Sequence, residues 1–147
     1  MKKIISPTIL CLRSNRWASM LGREFAERNN LRWALDIDDM IFEAKPCVGA
    51  ACVIELDSQS TDFAQHCHQL NAFSNNSASA RLFVVGDCGL FHWRAALRQV
   101  GVAMTCTLAL DVSALIRSIQ RHHNGGADNL VSIETWTEQN LPWSVEN

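Results

Sequence analysis

His66-Cys67-His68 is the densest set of soft metal ligands in the chain. Zinc or copper chemistry needs such donors to converge on one point, but successive helical positions point about 100° apart and cannot jointly grip one ion. No Cys-x-x-Cys or His-x-x-x-His spacing adds a second pair. No metal or cofactor is therefore expected, and His66 or His68 could serve only alongside a distant ligand. Nucleophilic and phosphate-binding chemistry also lack their usual frames. The segment Leu12-Arg-Ser-Asn-Arg16 follows the first apolar run without a glycine to cradle a phosphate, and Ser14 has no evident partner base and no Gly-x-Ser-x-Gly elbow. Asp57 closes the run Ala50-Ala-Cys-Val-Ile-Glu-Leu-Asp57, where a polar residue commonly caps the next turn, here through Ser58 or Ser60. Asp36, Asp38 and Asp39 form a second acidic set, read as the start of a helix whose N-terminus favours negative charge. A register slip would instead bring one of them towards Asp57. Cys11, Cys52 and Cys106 lie inside apolar runs as small hydrophobes, while Cys47 and Cys88 fall near loops.

The elements that must position these residues alternate strand and helix. Arg81-Leu-Phe-Val-Val-Gly-Asp87 is too short for a helix and bounded like a buried strand. Leu90 to Val100 then carries an apolar helical stripe with its arginines largely off it, stopped by Gly101. Three units precede this pair. Pro7 to Leu12 reads as the first strand and Asn15 to Arg28 as a helix with Trp17, Met20, Leu21 and Phe25 on one face. Arg32 to Asp36 is a second strand before a short helix from Asp38 to Ala44. Ala50 to Asp57 is the third strand, followed by a helix over Thr61 to Phe73 with a cap around Ser60. Val102 to Leu108 is the fifth strand, and Asp111 caps a last helix, Val112 to His122, with the stripe Val112, Leu115, Ile116 and Ile119. Strands interleaved with helices of this length imply a parallel sheet covered on both faces, doubly wound by right-handed crossovers.

Composition bounds the rest. With 147 residues, one domain is expected. A net charge of −2 supplies no electrostatic footprint for nucleic acid or an anionic membrane. No apolar run approaches the roughly 20 residues of a membrane span, and the start lacks a secretory cleavage pattern, so a cytoplasmic protein with reduced thiols is expected. Residues 1–124 form the domain and 125–147 a distinct tail bearing Trp136 and Trp143. Two readings of that tail stand: an extra helix folded back on the domain, with Ile133, Trp136 and Leu141 on one face, or a docking peptide anchored by its tryptophans.

The third strand ending Val53-Ile-Glu-Leu-Asp57, the fourth ending Phe83-Val-Val-Gly86, and the stretch Gly101-Val-Ala-Met-Thr-Cys-Thr-Leu-Ala-Leu-Asp111 resemble the receiver domain of two-component response regulators over residues 7 to about 123. The resemblance implies a flavodoxin-like, five-stranded sheet in the order 2-1-3-4-5. It also implies that Asp57 stands at the phosphoacceptor position. The other family positions are degenerate. Arg13 and Ser14 stand where an acidic pair would hold Mg²⁺, Gly86 replaces a Thr or Ser, and Leu108 with Ala109 replaces a Lys and Pro. Phosphoryl transfer is catalysed by positioning and charge neutralisation, so such a site has lost its principal stabilisers. Arg13 is expected to lie near Asp57 and pair with it, a fixed cation in place of the metal.

Two functional classes follow. One is a non-catalytic, receiver-like signalling module that meets a protein partner, or a second copy of itself, through the face carrying the fourth helix, fifth strand and fifth helix. His92, Arg94 and Arg98 lie on or near that surface together with Trp93, unless Trp93 is core, and Trp136 and Trp143 are candidates to extend it. The other is a response regulator still phosphorylated at Asp57, or a small-molecule-binding protein or enzyme using the crevice beyond the strands' carboxyl ends. The fold by itself licenses neither.

Overall fold

The computed structural model describes residues 6–25, 30–77, 79–108 and 111–125. Trp136 and Trp143, and the rest of the tail from 126, lie outside the described residues. The elements run β1 (Thr8–Cys11), α1 (Asn15–Phe25), β2 (Leu31–Trp33), α2 (Ile37–Ala44), β3 (Ala51–Leu56), α3 (Phe63–Asn76), β4 (Arg81–Gly86), a 3-10 turn (Cys88–Trp93), α4 (Arg94–Gln99), β5 (Val102–Cys106) and α5 (Val112–Gly125). The strands are all parallel in the order β2-β1-β3-β4-β5, the doubly wound sheet expected above.

Period-2 alternation along the central strands sends side chains to two separate cores. Ile9, Cys52, Ile54, Leu82 and Val84 pack with Met40, Phe63, Leu70 and Leu97 under α2, α3 and α4. Leu10, Ala51, Val53, Phe83 and Val85 pack with Trp17, Leu21 and Phe25 of α1 and Leu115 and Ile119 of α5. Burying each large apolar side chain contributes about 1.5–3 kcal/mol, which is why strands this short need both layers. The far end of α5 is pinned to the amino ends of two strands: His122 Nε2 donates to the Gly49 carbonyl at 2.8 Å, and His123 Nε2 lies 2.9 Å from Thr8 Oγ1.

Local chemistry moved several boundaries. The second strand ends at Trp33 rather than Asp36, because Asp36 is already the N-cap of α2, its carboxylate accepting from Asp39 N–H at 2.8 Å. Asp39 in turn accepts from Leu35 N–H at 2.9 Å. Those acids therefore begin the second helix. On α3 the cap expected near Ser60 sits one turn earlier than the helix itself, Ser60 Oγ accepting from Asp62 N–H at 3.1 Å. The single helix expected over Leu90 to Val100 is instead a 3-10 turn joined to a short α4. Leu90 N–H bonds back three residues to the Asp87 carbonyl at 3.1 Å, and this tighter winding buries Leu90 while leaving Phe91 and Trp93 about half exposed, at 54% and 45%. Trp93 is thus not core; it meets Phe63 edge to face with ring centroids 5.2 Å apart. Gly101 ends α4 as expected, at φ 103°, where a side chain would be strained and would collide with Ser74.

Candidate functional site

The carboxyl end of the sheet holds a cleft of about 430 Å³ lined by Arg13, Ser14, Glu55, Leu56, Asp57 and Asp87. Strand register explains the gathering. Cys11 pairs with Ile54 and Leu56 pairs with Gly86, so Glu55 stands level with the start of the loop that follows β1. It is the one charged residue inside an otherwise buried apolar strand, and a carboxylate there must find donors. It finds three: Glu55 Oε1 accepts from Arg13 N–H at 2.9 Å, Ser14 N–H at 2.8 Å and the Ser14 hydroxyl at 3.1 Å. Ser14 Oγ also accepts weakly from Trp17 N–H at 3.4 Å, so the start of α1 and the edge of β3 are stitched together through one carboxylate. The helix N-terminus favours that negative charge.

Asp57 is exposed at the strand end, and its Oδ1 accepts from Gln59 N–H at 2.9 Å, an Asx turn. The cap therefore runs through Gln59 rather than Ser58 or Ser60, although Ser60 N–H does bond to the Asp57 backbone carbonyl at 3.1 Å. Arg13 shares the cleft with Asp57, but the expected ion pair does not form. Among the described residues the only ion pair is Arg32 with Glu43 at 3.4 Å. Instead the amides of residues 13 and 14 are turned towards Glu55, and the Arg13 side chain is left exposed. Asp87 accepts from the Ser58 hydroxyl at 3.2 Å.

Gly86 explains why no Thr or Ser stands at the end of β4. A Cβ there would run into the Leu56 carbonyl oxygen and into Leu90 Cδ1. The 3-10 turn has carried Leu90 into the space a hydroxyl-bearing side chain would need. Leu108, where the resemblance implies a lysine, is 48% exposed and brings no charge. Mg²⁺ asks for near-octahedral oxygen ligands at about 2.0–2.1 Å. The donor set does not fit it: Arg13 brings a cation, and one oxygen each of Glu55, Asp57 and Asp87 is engaged by the donors named above. Among the described residues no group of three His, Cys, Asp or Glu side chains is placed to hold a metal ion.

The other sequence candidates separate. Arg94 and Arg98, with residues 102–105 and Asp111, border a depression of about 270 Å³ between α4, β5 and the start of α5. The Arg94 guanidinium stacks 3.9 Å from the centroid of Phe91, and His92 is exposed beside it. His66 and His68 lie on α3, away from both clefts. Cys11, Cys52 and Cys106 are buried. Burial pushes the Cys52 and Cys106 thiols up to about 12, and Cys11 to about 11 with a further push from Asp36 and an opposing pull from Arg13. Sequence reasoning missed Glu55, although a lone acid at the next-to-last position of a buried strand was the available signal. It also missed Leu90 as the group that closes the site.

No family profile matches the chain, and no curated protein matches it by sequence. Among solved structures it is similar to the response regulator StyR, described as a low-resolution structure, with a TM-score of 0.62 at 12% identity over 90% of this chain and 67% of that one. At that identity the likeness establishes the receiver-like, flavodoxin-type fold. No helix among the described residues is long and apolar enough to cross a membrane.

Proposed function

We propose that this protein is a non-catalytic, receiver-like signalling module that works through protein contacts and independently of aspartyl phosphorylation. The observation that carries the reading is the engagement of Glu55 Oε1 by Arg13 N–H, Ser14 N–H and the Ser14 hydroxyl. A working acceptor site needs a cation to neutralise the equatorial oxygens of the incoming phosphoryl group. Here the loop that would supply metal ligands is bonded to an internal carboxylate, and the position that would follow the phosphoryl group is a glycine backed by Leu90. The partner surface we assign is the α4, β5 and α5 face. Arg94 and Arg98 border the depression there, Phe91, 54% exposed, stacks on Arg94, and His92 is exposed beside it, the aromatic and arginine composition that protein interfaces favour.

The test uses the full chain, incubated with Mg²⁺ and either a small-molecule phosphodonor or beryllofluoride, and read by intact mass and tryptophan fluorescence. No added phosphoryl mass and no Mg²⁺-dependent fluorescence change are expected. A stoichiometric adduct abolished by Asp57→Asn would replace this reading with a live switch.

A further inference from the structure

Another cleft lies at the opposite end of the sheet from Asp57. It measures about 490 Å³ and is lined by Arg81, Phe83, Ala103, Ser118, Arg121, His122 and Asn124. Its floor is the buried ring of Phe83, and its rim carries the exposed side chains of Arg81 and Arg121. No acidic side chain lines it, and neither arginine has an ion-pair partner among the described residues. A groove of this size with an aromatic floor and two cations on its rim is suited to an acidic segment bearing an aromatic anchor.

We propose that this groove is the docking site of the chain's own segment 126–147. Three observations converge on that occupant. The segment carries Asp128, Glu134, Glu138 and Glu146 and no Lys, Arg or His, so its charge is the complement of the rim. It also carries Trp136 and Trp143, large apolar groups that lose free energy if left in water. Finally, it leaves the domain at Gly125, directly after Asn124 on the lip of the groove. A tether this short gives an effective concentration on the order of millimolar, so even modest contacts favour the chain's own segment over a free competitor. Ten residues reach at most about 33–36 Å, ample for Trp136 to return to Phe83. Docking here is independent of the signalling reading, since the groove faces away from the strand-end site.

Hydrogen exchange of the full chain, read by mass spectrometry at low salt, tests this directly. Amides of residues 130–145 are expected to exchange at least tenfold more slowly than a free peptide of that sequence. Arg81→Glu with Arg121→Glu should abolish that protection. So should Glu134→Lys with Glu138→Lys, and the four changes together should recover part of it. Exchange in β3 reports folding in every sample; if the arginine variant unfolds, the Glu134→Lys, Glu138→Lys variant alone carries the test. Free-peptide exchange in the unaltered chain would overturn the proposal. So would protection indifferent to these charge reversals, or protection that rises with protein concentration, which would assign the groove to a second copy.

Discussion

Replacing Glu55 with Ala should be among the more costly single changes at the carboxyl end of the sheet, although the residue buries no large apolar surface. The wild-type carboxylate oxygen accepts three bonds at 2.8–3.1 Å. A hydrogen bond to a charged group contributes about 1.5–3 kcal/mol, but three bonds sharing one oxygen at a partly solvated loop do not add, and about 2–3 kcal/mol in total is the reasonable figure. Relief of repulsion among Glu55, Asp57 and Asp87 acts in the opposite sense. At a solvated cleft it is worth about 0.5 kcal/mol or less, so the lost bonds win. With urea m-values of about 1–3 kcal/mol/M, Glu55→Ala should lower the midpoint by roughly 1 M. By the usual scaling for a domain of this size it should lower Tm by roughly 5–10 °C. Glu55→Gln keeps a neutral acceptor and should cost about 1 kcal/mol. A double-mutant cycle between Glu55→Ala and Ser14→Ala should show coupling of about 0.5–1.5 kcal/mol, because both changes remove the same contact. If Glu55→Ala unfolds within about 0.5 kcal/mol of the wild type, the carboxylate does not hold the loop and the reasoning fails.

Gly86→Ala discriminates by sign. At an unconstrained position the change stabilises by about 0.4–1 kcal/mol through the unfolded chain, but here the new methyl meets the Leu56 carbonyl and Leu90, and overpacking of about 1–3 kcal/mol should prevail. A variant as stable as the wild type in urea would show the site is not closed. Thiol labelling at pH 8 tests the cores: exposed Cys88 should react first. Cys52 and Cys106, at about 12, and Cys11, at about 11, keep only about a ten-thousandth and a thousandth of the reactive thiolate and must await opening of the sheet. Peptide mapping that finds Cys52 modified as fast as Cys88 would contradict their burial.

The architecture was legible because it rests on periodicity, which the sequence displays openly. Trp17, Leu21 and Phe25, and likewise Leu115 and Ile119, fall on the faces their spacing implies. The strand order followed from the resemblance and is observed. What was not legible depended on side chains reaching across the sheet. Nothing local in Leu90 to Val100 says that its first turn will tighten to 3-10. That outcome belongs to Leu90 filling the space beside Gly86, a contact between elements. Glu55 was likewise invisible as a partner of residues 13 and 14, because the register pairing Cys11 with Ile54 had to exist first. The Arg13 to Asp57 pair was expected from charge alone and does not form; Asp57 accepts from Gln59 N–H instead.

These contacts bear on whether the site could switch at all. A ligand shifts an equilibrium only by its differential affinity for two states, and moving a population from 1:99 to 99:1 takes about 5.5 kcal/mol. For the receiver-like module proposed above, that energy would have to be collected at the strand ends, from a charge that arrives and a side chain that follows it. In this chain the Glu55 carboxylate is already bonded to the loop that follows β1, and Leu90 stands where a side chain at position 86 would go. On the reading proposed above, the carboxyl end is held in one state, with its loop bonded to Glu55 and the space beside Gly86 filled by Leu90. On that same reading, an input that changes the α4, β5 and α5 face would act on that face directly or through the amino end, where α5 is held by His122 and His123 and where the cationic groove begins.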